Sequence, residues 1–477
     1  MKKSIVLYLH VHQPWRVNDY YNLFEVGKNS KYFKKDLPND SNTNGAIFKK
    51  VAEKSYLPMN NLLEKLLARY PEFKFSLSIT GTFIDQAEKF APKVLDSFKR
   101  LIKTGRVEIV AETYYHSLAF FFDREEFETQ VRAHMAKIQE TFGITPTAFR
   151  NTELAYNDEL AKWADKFGFK AILAEGWDSV LQWRTPNHVY HPPNTKNIRL
   201  LLKNYKLSDD LAFRFSNHSW EEYPLTTAKY IEWLNASSYH GEIINLFMDY
   251  ETFGEHQWAE SGIFNFFESF VGDWLKNNPD HDFETVSQAA ERDPVAEISM
   301  PNTVTWADTE RDLTAWLGNS MQQEAMRLLY SLKSRIYNCG DGLLAEDWRR
   351  LQTSDHAYYM CTKFWNDGDV HAYFSSYKSP YDAFLCYMDA LRDMDYRLRG
   401  VKIQADDSIS SKEILVDPQK DSIEAKSVNN NSSDAGSKTS PRKKQHKKAT
   451  KSIPRPPFNY NNMKKNWDFV VKRGKNG

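Results

Sequence analysis

Acidic and imidazole side chains stand at the ends of short apolar runs in this chain. His10 and His12, with Gln13, Pro14 and Trp15, close the run Ile5–His10. Thr80, Gly81 and Thr82 follow Phe73–Ile79, and Glu112, Tyr114, Tyr115 and His116 follow Val107–Ala111. Asn151, Thr152 and Glu153 follow Thr147–Arg150, and Glu175, Trp177 and Asp178 follow Ala171–Ala174. Asp249, Tyr250, Glu251, Phe253, Gly254, Glu255 and His256 follow Ile243–Met248. A purely structural scaffold has no use for so many carboxylates in one zone, because crowded carboxylates raise one another's pKa and cost stability. Paired carboxylates beside histidines and aromatic rings suit glycoside hydrolysis. One must stay ionised to attack the anomeric carbon, and the other must carry a proton to the leaving oxygen. Arg150, three residues before Glu153, favours an ionised Glu153; Glu251 and Glu255, close to Asp249, favour a proton there. Glu251 lies two residues beyond Asp249, so on a continuing strand both share a face and spacing leaves either open as the acid.

His10 and His12 also share a strand face and could in principle hold a metal ion. Metal-dependent carbohydrate deacetylases and family 38 α-mannosidases lean on an aspartate paired with histidine at such a strand end. Position 10 here is His, and no His-x-x-x-His follows on a nearby helix, so neither a metal nor another cofactor is expected.

These residues need a frame that brings strand ends together. Seven apolar runs, the six above and Ile198–Leu202, read as buried strands, with helical patterns between several of them. After Asp123, an N-cap with Glu126 three residues on, apolar residues recur at Phe127, Val131, Met135, Ile138 and Phe142. After Asn157, Leu160, Trp163, Ala164 and Phe167 form a second stripe. Strands alternating with helices predict an α/β fold with a parallel sheet, closed by right-handed crossovers into a barrel of seven strands, one short of the usual eight. Catalytic groups of such a barrel stand at the C-terminal strand ends. The barrel is expected over residues 1–300. Helical patterns near 309–337, 343–365 and 379–399, with Gly340 and Gly368 as stops, predict a helical bundle domain over 301–400. Residues 401–477 lose apolar periodicity, carry the basic run Arg442–Lys448, and read as a solvated, disordered tail; the aromatic stretch Pro454–Trp467 closes it.

Composition narrows the partners. Lys+Arg and Asp+Glu both number 63, so no global field draws in nucleic acid or an anionic membrane. Aromatics at 14% fit large cores and equally a sugar cleft, where flat rings cover the apolar faces of glucose. The three cysteines, Cys339, Cys361 and Cys386, suit neither a zinc site nor a disulfide framework. The opening Met1–His10 stretch has a short apolar run and no small-residue cleavage site, and no run is long enough to span a bilayer. A cytoplasmic location is expected, and oligomeric state is not legible.

Five blocks resemble glycoside hydrolase family 57, in particular its α-amylase-like branch. They are His-Val-His-Gln-Pro at 10–14, Gly-Arg-Val-Glu-Ile-Val-Ala-Glu-Thr-Tyr-Tyr-His at 105–116, Phe-Arg-Asn-Thr-Glu-Leu-Ala-Tyr-Asn at 149–157, Phe-Met-Asp-Tyr-Glu-Thr-Phe-Gly-Glu-His at 247–256 and Trp-Ala-Asp-Thr-Glu-Arg-Asp-Leu-Thr-Ala-Trp-Leu-Gly-Asn at 306–319. The resemblance spans about Ile5 to Tyr396 and implies an incomplete seven-stranded (β/α) barrel with a helical C-terminal domain. It implies Glu153 as nucleophile and Asp249 as acid/base of a retaining hydrolase acting on internal α-1,4 bonds of starch- or glycogen-type glucan. His12 and His116 would line the donor-sugar subsite, and His10 and Glu112 are counted with them as substrate-binding. Trp306, Asp308 and Asp312 would reach across the cleft, and His356 of Thr-Ser-Asp-His at 353–356 takes a secondary role. Many relatives carry Trp and Glu-Arg around the nucleophile; Asn-Thr-Glu-Leu here fits the amylase-like branch. Trp316, beside Leu313 and Leu317 on a helical face, is expected in the interdomain core. A 4-α-glucanotransferase with the same nucleophile, a metal-dependent deacetylase or mannosidase, and a non-catalytic glucan-binding protein are the alternatives.

Overall fold

The computed structural model of the protein describes residues 3–18, 32–33, 41–237, 241–363 and 375–401. Among the described residues nine strands are formed: β1 (Lys3–Val11), β2 (Phe75–Ile79), β3 (Val107–Ile109), β4 (Ala148–Arg150), β5 (Ala171–Glu175), β6 (Val189–Tyr190), β7 (Arg199–Lys203), β8 (Ile243–Asp249) and β9 (His281–Glu284). One sheet runs β3-β2-β1-β8, and β9 adds to the first half of β1. All of its pairings are parallel. The other runs β4-β5-β7-β6, and only β6 is antiparallel. Backbone bonds join the sheets on both sides. Ala111 N donates to Ala148 O at 2.8 Å, and Asn204 N to Asn245 O at 2.8 Å. The result is an α/β fold with curled parallel half-barrel sheets. Each of the seven expected runs holds a strand. β6 and β9 were not expected, because two residues are too short for a periodic signal and His281–Glu284 alternates charge with a single buried Phe.

The strands are buried on both sides, as parallel strands between helices and a barrel interior must be. Alternation then sorts them. Ile5, Leu7 and Leu9 face the outer helix layer. Val6 and Tyr8, with Val110, Ala148, Leu173, Leu201 and Phe247, form a separate inner cluster. Two residues beyond Tyr8, Val110, Ala148, Leu173, Leu201 and Phe247 come His10, Glu112, Arg150, Glu175, Lys203 and Asp249. The top layer of the barrel is therefore built from charged and imidazole groups by the same period that fills its floor with apolar ones.

The helices between strands follow the expected caps. The Asp123 side chain accepts from Glu126 N at the start of Arg124–Phe142, which ends at Gly143 with φ 74°. Asn157 caps Asp158–Phe167 by accepting from Leu160 N. The later helical patterns are more broken than periodicity suggested. The first begins only at Thr314, because 308–312 is a bent loop in which Asp312 accepts from Thr314 N. It restarts at Ser320 on an Asn319 capping box. The second breaks at Thr353, which forms a β-bridge to Ser117. The third is Pro380–Arg397. Phe149, Ile172 and Leu200 share one apolar cluster with Trp316, Leu329, Trp348 and Tyr387, so these helices pack directly on the second sheet. Gly368 and residues 402–477, including the basic run and the closing aromatic stretch, lie outside the described residues. Among the described residues, no helix is long and apolar enough to cross a membrane.

Candidate active site

Glu153 sits in a short 3₁₀ turn after β4, with φ 59°, and Leu154 follows at φ 50°. His116, after β3, has φ 52°. Non-glycine residues in this left-handed region cost about 1–3 kcal/mol each and persist only where surrounding contacts over-determine them. Here the contacts converge on one carboxylate. Ser354 Oγ donates to Glu153 Oε1 at 2.9 Å, and Trp306 Nε1 donates to Oε2 at 2.8 Å. His116 Nε2 lies 3.4 Å from Oε1. The three donors come from three separate stretches of chain.

His116 is held from its other side too, with Nδ1 3.0 Å from Glu112 Oε2. Burial alone would push its imidazole down. The bonds to Glu112 and Glu153 outweigh that and raise it to about 9, so His116 is a cation at neutral pH. Burial pushes Glu153 up, but the hydrogen bond and charge of His116 prevail and hold it below its ordinary value. Glu112 follows the same logic under His10, His116 and Arg150. Arg150 is fully buried, 3.7 Å from Glu112 and 5.0 Å from the centre of the Trp306 ring.

The second carboxylate lies on the same rim. His10 Nδ1 is 3.5 Å from Asp249 Oδ1, and His10 Nε2 is 3.3 Å from Glu112 Oε1. The rings of His10 and His116 stack with centroids 4.6 Å apart. Glu153 and Asp249 thus border opposite ends of one imidazole stack. Asp249 is the open end, with 36% of its side chain exposed. Burial raises its carboxyl, His10 lowers it more, and the net direction is downward. Glu251 is different. It is buried, Tyr56 Oη donates to it at 2.5 Å, and burial, reinforced by the Asp249 charge, pushes it up to about 8. Glu255 is turned to Lys50 and Lys54, 3.3 and 3.5 Å away, and Glu251 keeps its proton at neutral pH, so neither acidic neighbour sets an uncompensated negative charge beside Asp249.

His12 lies beside His116 with its ring tilted 33° to it, centroids 4.3 Å apart. Its Nε2 meets Asp355 Oδ2 at 3.0 Å and its Nδ1 meets Thr80 Oγ1 at 3.0 Å. Burial, then the nearby His116 cation, push it down to about 4, so it is neutral and donates Nε2–H to Asp355. Ser354 and Asp355 are the residues of the 353–356 block that enter the site. His356 lies behind them, its ring 5.5 Å from that of Tyr387. Asp308 is 3.4 Å from Lys363, and Asp312 is spent on its own helix start. Sequence reasoning overlooked Ser354, Asp355 and Arg311. The block holding the first two was noticed, but without the bridge to Ser117 and the bond from Ser354 N to His116 O, nothing said which side chain turns inward.

Among the described residues, two groups, His10-Glu112-His116 and His12-His116-Asp355, bring possible metal-ligand atoms within 4.8 Å of one another. A metal needs neutral imidazole. Both ring nitrogens of His116 lie against carboxylates, Nδ1 3.0 Å from Glu112 and Nε2 3.4 Å from Glu153. This donor set is arranged as ion pairs.

The description Glycosyl hydrolase family 57 matches residues 6–301. An alpha-amylase-named protein of Methanocaldococcus jannaschii is 42% identical over 408 residues, 83% of this chain and 85% of that protein. The chain belongs to glycosyl hydrolase family 57. It is a family 57 glycosidase with α-amylase and 4-α-glucanotransferase relatives. The Thermococcus litoralis 4-alpha-glucanotransferase is 22% identical over 153 residues, 32% of this chain and 22% of that one. A family 57-type branching enzyme of Pyrococcus horikoshii superposes with TM-score 0.60 at 15% identity, over 82% of this chain and 88% of that chain, which shows the shared fold.

A pH prediction follows from His116. Its folded pKa is raised, so its ion pairs contribute stability that is fully present below about 6.5, the ordinary value, and is lost as pH rises through about 9. The wild-type Tm is expected to fall across that window, and the His116→Asn protein to show a smaller fall. Parallel Tm-against-pH curves for the two proteins would remove His116 as the titrating cation.

Proposed function

We propose that this family 57 enzyme hydrolyses internal α-1,4 bonds of starch- or glycogen-type glucan with retention of anomeric configuration. Glu153 is the nucleophile and Asp249 the acid/base. The observation that carries this reading is the unequal treatment of two carboxylates on one rim. Glu153 is ionised and aimed by three donors, while Asp249 is left partly open at the far end of the His10–His116 stack. A fixed, ionised carboxylate can attack C1 while Asp249 protonates the leaving oxygen. Glucan lying over Asp249 strips water from it and raises its pKa; ester formation at Glu153 then removes a negative charge and lowers it again. The same group therefore serves first as acid and then as base. The named relatives support the glucan substrate class.

Maltopentaose followed by anomer-resolved NMR tests this. The first-formed reducing ends are expected to be α, with net gain of reducing ends and shorter oligomers. A β-first product would mean inversion, and a dominance of oligomers longer than the substrate would mean a glucanotransferase.

A further inference from the structure

We propose that Arg311 is a positioning residue for Glu153: clasped by the buried Glu175, it fixes the backbone of Trp306 so that the indole N–H stays on the nucleophile. This rests on the reading of Glu153 given above. Arg311 Nη1 donates both to Glu175 Oε2 at 2.8 Å and to the Trp306 carbonyl at 2.6 Å. Thr305 N donates to the Arg311 carbonyl at 2.9 Å and closes the loop on itself. Within that loop Asp308 and Arg311 have φ 56° and 54°. A free peptide avoids two left-handed non-glycine residues so close together, so tertiary contacts impose this shape.

The seat for Arg311 is built into the barrel. Glu175 ends β5 and Lys203 ends β7, opposite one another in register. Lys203 Nζ lies 3.5 Å from Glu175 and 3.0 Å from Asp209, and 5.5 Å from the centre of the Trp306 ring. Two carboxylates and one lysine leave a single negative charge in a buried place, which invites a second cation. Arg311 supplies it, with Nη2 3.8 Å from Asp209 and its guanidinium 4.9 Å from the Tyr205 ring centre. One nitrogen, Nη1, thus serves both the carboxylate and the carbonyl while the guanidinium lies near a ring face. The Trp306 amide is meanwhile tied to the Glu153 carbonyl at 3.3 Å and its indole to the Glu153 carboxylate at 2.8 Å. Displacing Arg311 frees the Trp306 carbonyl and lets the indole leave Glu153.

The test compares Arg311→Gln, Trp306→Phe and the double variant on maltopentaose. Each single variant is expected to lower kcat/KM by about 10–100-fold, mostly in kcat. Each should also raise the acid-limb pKa, because Glu153 loses a donor. The double variant should be no worse than Trp306→Phe alone, and Arg311→Lys should recover part of the loss. Additive losses, or an unshifted acid limb in Arg311→Gln, would overturn the proposal. Lys203 still neutralises Glu175 in Arg311→Gln; should that protein fail to fold, Glu175→Gln is read in the same way. A crystal structure of Arg311→Gln without substrate separates this idea from the functional one. The indole N–H off Glu153 supports the clasp even in a protein that cleaves no glucan. The indole still on Glu153 refutes it even in an active one.

Discussion

The Glu153→Ala protein is expected to fold and to lose on the order of 10⁴-fold or more in kcat on maltooligosaccharides. Three donors aim at this carboxylate, and no other described carboxylate receives the same set. Removing it leaves His116 its bond to Glu112, so the cation is not stranded and the cleft should keep its shape. Alanine at φ 59° is no less strained than glutamate, so the backbone has no new reason to relax. The variant also offers a stereochemical check. With α-maltosyl fluoride as donor, azide can enter the vacated space and attack C1 from the nucleophile's face, giving β-maltosyl azide. Residual activity above about 1% of wild type, or no azide adduct at all, would place the nucleophile elsewhere.

Asp249→Asn is expected to cut kcat/KM on maltopentaose by about 10²–10⁴-fold, the usual worth of a general acid. Its first step on α-maltosyl fluoride should stay near the wild-type rate, because fluoride leaves without a proton. Azide should then intercept the glycosyl-enzyme from the acid/base side and give α-maltosyl azide. Glu251 is the control for this assignment. Burial and the Asp249 charge push it up to about 8, so it holds a proton at neutral pH, as an acid should. It is nevertheless buried and takes its hydrogen bond from Tyr56, whereas Asp249 opens to solvent. A neutral glutamine mimics its protonated form, so Glu251→Gln is expected to stay within about tenfold of wild type below pH 8. If Glu251→Gln instead loses activity on maltopentaose and keeps it on the fluoride, Glu251 is the acid.

Much of the site was visible along the chain, for a physical reason. Side chains in strands alternate, so the period that buries Val6 and Tyr8 inside the barrel also delivers His10 to its mouth. Likewise Phe247 carries Asp249, and Val110 carries Glu112. The helix starts at Asp123 and Asn157 were equally legible, because an N-cap is a local bond within three residues. The loop 308–312 was not, since periodicity read it as helix while Arg311 and Asp308 take left-handed backbone imposed by Glu175 and the barrel.

By itself the sequence determined the parallel α/β frame, the rim on which the acidic and imidazole groups gather, and the family to which the chain belongs. All of these are read from local period and from blocks of adjacent residues. Only the tertiary structure decided what completes the site. Ser354 and Trp306 reach Glu153 across separations of 201 and 153 residues, and Asp355 reaches His12 across 343. Such contacts depend on how the later helices pack against the second sheet. Packing is a sum of many weak, non-directional burials, so no single stretch of chain encodes which side chain it will turn inward.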